Sequence, residues 1–222
     1  PEGDEIAVTF HFDPTRGAYP DAIFTPHPSR FTRYADDLVA EVDDIAGDRA
    51  GLERARAVAN HVAARFTYGH PEARFNDGFE VVPALGCGLV EGSCVDINTY
   101  FIAALRAAGI EAGYVTGFFF PAEKGGTCED GHCWVVTRID GETAEWDIAH
   151  HLKLGARDIH PGLNPKPGQR LACFRAACMF GIAGVAGDVV NAVLASRGAS
   201  SPFVTSLAFG AATSDVSFIV QP

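Results

Sequence analysis

The segment Gly92-Ser93-Cys94-Val95-Asp96, running on to Gly109, constrains this chain more than any other stretch. Apolar residues recur at Ile97, Phe101, Ala104, Leu105 and Ala108, the spacing of a helix with one face in a core. Gly109 stands where helices end on a residue tolerant of left-handed geometry. Ser93 and Asp96 make an S-x-x-D pattern, the mark of a capped N-terminus. With Ser93 as N-cap, Cys94 is the first helical residue. A thiol there meets unpaired N–H groups at the positive end of the helix dipole, and both favour thiolate. The position also suits a plain buried residue, because cysteines are often buried. The helix alone does not decide between nucleophile and core.

A length of 222 residues with 47% hydrophobic residues fits one globular domain, 1–222, with a substantial core. The patterned part spans about 31–150, and 151–222 is an extension whose role the sequence leaves open. The net charge is −11, and no lysine or arginine cluster breaks it. Nucleic acid and anionic membrane are therefore poor partners. Cysteines fall at 87, 94, 128, 133, 173 and 178, with no disulfide framework in their spacing. Thiols in a reducing, cytoplasmic setting are expected, and no leader is visible from Pro1 onward.

Residues 4–12 alternate as a strand does. Residues 13–30 carry Pro14, Pro20, Pro26 and Pro28 and read as a loop. A helix is expected over 31–46, with Tyr34, Leu38, Val42 and Ile45 on one face. A second is expected over 52–66, capped by Asp48. The polar, glycine-rich run 69–92 delivers the chain to Cys94, and a loop of that length is usually functional. Residues 110–120 and 132–139 read as strands, and 142–148 as a third. The run 172–194 is long and apolar, but Arg175, Asp188 and several glycines point to core or a subunit contact rather than a membrane span.

Asp140-Gly141 is a two-residue hairpin signal. In that register Ile139 faces Glu142, Trp134 faces Asp147, and His132 lies diagonal to Asp147 on one face of the sheet, within reach of a His–carboxylate hydrogen bond. Glu145 points to the opposite face, as does Cys133 relative to His132. A turn of odd length would break the pair. Cys94, His132 and Asp147 then supply a nucleophile, a base and a residue that orients the base.

These pieces resemble the transglutaminase-like superfamily, whose chemistry is papain-like, in its bacterial form. The matching segments are Gly92-Ser93-Cys94-Val95-Asp96, Leu105-Arg106-Ala107-Ala108-Gly109-Ile110-Glu111-Ala112, Gly131-His132-Cys133-Trp134-Val135 and Glu145-Trp146-Asp147, with Phe66-Thr67-Tyr68 ending the preceding helix. The order Cys, His, Asp and the intervals of 38 and 15 residues fit. The resemblance implies an α+β fold, with the nucleophile helix packed on an antiparallel sheet. It also implies an enzyme forming a thioester on Cys94 from a peptide or small amide or acyl substrate. Family members often use an upstream Trp or Gln side chain at the oxyanion, and neither residue occurs before Cys94. The Cys94 N–H is one donor by position. Tyr68 and Asn76 are the candidates for the second.

The sequence leaves hydrolysis and transfer to an amine open. A non-catalytic binding or scaffold protein that keeps the fold is the other class, and an intact Cys-His-Asp set argues against it. Zinc on Cys128, His132 and Cys133, with His150 and His151 nearby, is disfavoured because adjacent strand residues point to opposite faces. No cofactor and no metal is expected. Oligomeric state is open.

Overall fold

A computed structural model of the chain describes residues 7–10, 19, 21–26, 28–125, 127–128, 130–162, 165–174, 193–195, 203–206 and 217–221. In chain order the elements are β1 (Ala7–Phe10), a 3-10 turn at Asp21–Phe24, α1 (Asp36–Ala46), α2 (Gly51–Arg65), β2 (Phe66–Tyr68), β3 (Val90–Gly92), α3 (Cys94–Ala107) and β4 (Glu111–Pro121). A second 3-10 turn at Ala122–Lys124 leads to β5 (Thr127–Cys128), β6 (Gly131–Ile139), β7 (Glu142–Trp146), α4 (Ile148–Lys153), β8 (Gly168–Phe174), β9 (Val193–Ala195), β10 (Phe203–Ser206) and β11 (Ser217–Gln221). Residues 21–115 and 133–165 form one compact unit, and residues 1–20, 116–132 and 166–222 form another.

The helical unit is built around α3. Every residue from Asp96 to Leu105 is buried, so this helix is enclosed on all sides rather than along one stripe. Helices α1, α2 and α4 contact it. Its other flank meets the sheet, where the rings of Phe101 and Trp146 cross edge to face at 6.0 Å. In that sheet β6 and β7 pair antiparallel, with Ile139 opposite Glu142 and Val135 opposite Trp146. Asp140 and Gly141 both have positive φ, 53° and 82°, the geometry that an Asp-Gly hairpin requires. Across β4, Arg138 donates to both carboxylate oxygens of Glu111 at 2.7 and 3.0 Å.

The expected helices 31–46 and 52–66 are present with different starts. Long-range pairing holds residues 33–35 extended: Val82 N–H donates to Arg33 O and Ala35 N–H to Val82 O, at 2.9 and 3.0 Å. Helix α1 therefore begins only at Asp36. Asp48 does not cap α2. The N-cap is Ala50, with no side-chain bond, because the α1–α2 turn closes through Arg49, which donates to Ile45 O and Ala46 O at the end of α1. The strand expected to reach 148 stops at Trp146, where α4 takes over.

Parallel strands β2 and β3 pair Tyr68 with Gly92 and aim the chain into α3. A Cβ at Gly92 would lie 2.9 Å from Phe66 Cδ1 and 3.0 Å from Asp96 Cβ. Phe66 is fully buried and has nowhere to retreat. Gly92→Ala is expected to lower stability by about 1–3 kcal/mol, read from urea unfolding. A curve that overlays the wild type would show that the junction yields.

In the other unit β4 pairs with β8 and β8 with β11, both antiparallel. A separate four-stranded sheet runs β1-β10-β9-β5. Residues 7–10 bear out part of the strand expected at 4–12. Most of the 13–30 loop's first half, Cys178, and residues 175–192 of the apolar run lie outside the described residues. Among the described residues no helix is long and apolar enough to cross a membrane.

Candidate active site

The start of α3 is built by Ser93 and Asp96. Ser93 has extended backbone, φ −77° and ψ 177°, and its carbonyl accepts the Ile97 N–H at 3.0 Å. The Asp96 carboxylate reaches back to accept from the Ser93 N–H at 2.9 Å and the Ser93 hydroxyl at 2.6 Å. Cys94 is thus the first residue of α3, and it is half-buried. At the far end Gly109, φ 76°, donates to Arg106 O while Ile110 donates to Leu105 O, both at 2.9 Å. This left-handed stop pins the helix at its C-terminus, so the position of Cys94 is fixed from both ends.

Cys133, expected on the face of β6 opposite His132, is buried in the core. Its thiol lies close enough to Cys94 for the two to interact. Asn98, one turn along α3, donates its amide to Cys133 O at 2.8 Å and to Cys133 Sγ at 3.4 Å. Burial, and then the neighbouring Cys94, push the Cys133 thiol well above the ordinary range, so it stays protonated. Tyr114 is pushed up likewise, by burial first and then by Cys133 and Cys94. Alternation along β6 was the available signal: with His132 assigned to one face, Cys133 had to occupy the other.

The hairpin register is the expected one, but Asp147 is not a strand residue. It is fully buried and is the N-cap of α4. One carboxylate oxygen accepts the His150 backbone N–H at 3.0 Å. The other lies 3.1 Å from His150 Nδ1. The Asp147 carbonyl meets His151 Nδ1 at 2.7 Å. His150, buried beside Asp147, was not singled out from the sequence as its partner. The Asp-x-x-His spacing, with Asp a strong N-cap residue, was the signal that would have found it. His132 lies in the other unit, where it is buried near the start of β6 with its ring 6.4 Å from that of Phe119.

The two oxyanion candidates differ. Tyr68 ends β2 opposite Gly92. Its hydroxyl meets His70 Nε2 at 3.2 Å, and the Lys153 ammonium stands 4.3 Å from its ring centroid. Asn76 is buried, and its Nδ2 finds no hydrogen-bond partner among the described residues. A buried amide left unpaired costs stability and is a feature that a ligand oxygen relieves.

Residues 36–146 match the transglutaminase-like superfamily, which is half of the chain. The chain belongs to that superfamily. For this transglutaminase-like chain, membership supports a cysteine-dependent enzyme in general. The match takes in Cys94 and His132 and stops one residue short of Asp147. No curated protein matches the sequence. A solved protein from Cytophaga hutchinsonii, described as a candidate cysteine protease, shares 19% identity with a TM-score of 0.44, over 68% of this chain and 48% of its own. The chain spans about half the length of that protein.

Proposed function

We propose that the protein is a cysteine-dependent amide-bond enzyme that works through a thioester on Cys94. The observation that carries this reading is a half-exposed cysteine at the first position of a capped, enclosed helix, in a chain of the transglutaminase-like superfamily. The Cys94 thiolate adds to the carbonyl carbon of the substrate. The tetrahedral oxyanion is held by the Cys94 N–H and the Asn76 amide. Collapse releases the amine, which takes its proton from an imidazolium, and leaves the acyl group on sulfur. Water then attacks to release the acid in hydrolysis, or an amine attacks in acyl transfer, and the thiol is restored. Asn76 is preferred to Tyr68 as the donor because its Nδ2 is buried and has no partner among the described residues.

The base is His132, oriented by Asp147, on the order and spacing of the three residues. A second reading gives this role to His150. The observation favouring it is the 3.1 Å contact of His150 with Asp147. Limiting iodoacetamide at about pH 6, where an unactivated thiol is almost wholly protonated, tests both, with the modified cysteine located by peptide mapping. One fast site at Cys94 that is lost in His132→Ala supports the first reading. Loss in His150→Ala alone supports the second. Slow, even labelling of Cys94 and exposed Cys87 would overturn the activated thiolate and favour a binding protein that keeps the fold. Trapping the thioester with added glycine ethyl ester, against water alone, separates transfer from hydrolysis.

A further inference from the structure

The helical unit contains a cavity of about 400 Å³ lined by Thr67, Tyr68, Leu152, Lys153, Gly155 and Arg157. Its walls come from β2 and from the end of α4 with the turn beyond it. Both walls lead to residues of the candidate site. Tyr68 pairs with Gly92, two residues before Cys94, and α4 starts from Asp147.

The charge of this cavity is opposite to that of the chain. Among the described residues Arg33, Arg54, Arg56, Arg138 and Lys166 each pair with a carboxylate, while Arg49 and Arg106 spend their N–H groups on backbone carbonyls. Lys153 and Arg157 have no carboxylate partner among the described residues, although the chain carries eleven more acidic than basic charges. Among the described residues Lys153 is held by its stance over the Tyr68 ring, 4.3 Å from the centroid. Arg157 Nη1 donates to Ala63 O and Phe66 O at the end of α2, which fixes the guanidinium plane and leaves the rest of its N–H fork for another acceptor. Of the nearby acids, Asp158 pairs with Arg56, and Glu91, opposite Thr67 in the ladder, leans over Gly69, where an added Cβ would meet its carboxylate.

A planar guanidinium fixed at one end, an exposed ammonium and a threonine hydroxyl around one cavity make a recognition set for a carboxylate. We propose that this cavity is a subsite for a carboxylate on the substrate acylating Cys94. The proposal deepens the reading of Cys94 as nucleophile and rests on it. The carboxylate is either the C-terminus of a peptide or a small free acid.

The test uses the intact protein. Binding of N-acetyl-dialanine, its C-terminal amide and succinate is measured by calorimetry to wild type, Lys153→Gln and Lys153→Arg. Lys153 is exposed and makes no hydrogen bond among the described residues, so its variants are expected to fold. The acid is expected to bind about fivefold tighter than the amide, as one partly exposed charge contact allows. That preference is lost in Lys153→Gln and kept in Lys153→Arg. Preference for the peptide acid over succinate identifies a peptide terminus, and the reverse identifies a free acid. Equal binding of acid and amide, no binding of either, or a preference that survives in Lys153→Gln overturns the subsite whatever Cys94 does.

A second arm compares iodoacetate with iodoacetamide at Cys94. A rate advantage for the anionic reagent that vanishes in Lys153→Gln ties the subsite to the thiol. Intact carboxylate binding with a Cys94 no faster than Cys87 overturns the nucleophile reading and leaves the subsite standing.

Discussion

Cys94→Ala removes turnover entirely while the protein still folds. The side chain is half-buried, and the neighbouring bonds that shape the helix start run through Ser93 and Asp96, which the substitution leaves in place. Its stability cost is expected to stay under about 1 kcal/mol. Release of p-nitrophenolate from p-nitrophenyl acetate should fall by about a thousandfold or more. The contrast is Cys133→Ala. That thiol is buried, stays protonated and contacts Asn98 and Cys94. Its loss should cost about 1–2 kcal/mol while ester cleavage continues. If the two variants turn over equally, Cys94 is not the nucleophile. If Cys133→Ala is the inactive one, the two thiols have been assigned in reverse.

Asp147 separates two jobs that one carboxylate performs. With alanine there, α4 loses its N-cap bond and the His150 imidazole loses its acceptor inside the core. The combined cost is about 2–4 kcal/mol, visible as an early urea transition. Asn keeps an oxygen for the His150 N–H, so Asp147→Asn should cost under about 1.5 kcal/mol. It also presents an N–H₂ group where the carboxylate accepted, which forces the neighbouring imidazole into the other tautomer. Ester cleavage should therefore drop sharply in Asp147→Asn despite near-normal stability. Glu145→Gln, two residues earlier near the end of β7, should change neither. If Glu145→Gln is the variant that loses activity, the orienting carboxylate is Glu145. If Asp147→Ala unfolds no earlier than wild type, the cap on α4 is not carrying the local fold.

What could be read from the sequence was what local chemistry decides. Ser93, Asp96 and Gly109 mark both ends of α3 because capping and the left-handed stop act within a few residues. Asp140-Gly141 set the β6–β7 register for the same reason. What could not be read depended on distant partners. Residues 31–35 look helical by periodicity, yet a bridge to Val82 holds the end of that stretch extended. Strand β3 exists only because β2 lies beside it. Helix α4 is six residues long, too short for a periodic signal, and its cap was therefore taken for a strand end. The candidate site divides along the same line. Cys94 and Asp147 stood out as residue types in order, and the local Asp-x-x-His spacing already linked His150 to Asp147, whereas the approach of Cys133 to Cys94 joins distant segments and required the fold.

The Asp140-Gly141 turn also has a consequence in time. A hairpin closed by two residues forms in about 1–10 µs, because little chain entropy opposes it. Docking α3 on β6 through Asn98 and Cys133 closes a span of 35 residues and pays a larger loop-closure cost. The side of the sheet that Cys133, Val135 and Trp146 present is therefore expected to be chosen in the first microseconds, by two residues at the surface. The helix carrying Cys94 then arrives at a template already written. A slip in that turn would act as an error in the order of assembly, trapping a well-paired hairpin with the wrong face toward α3.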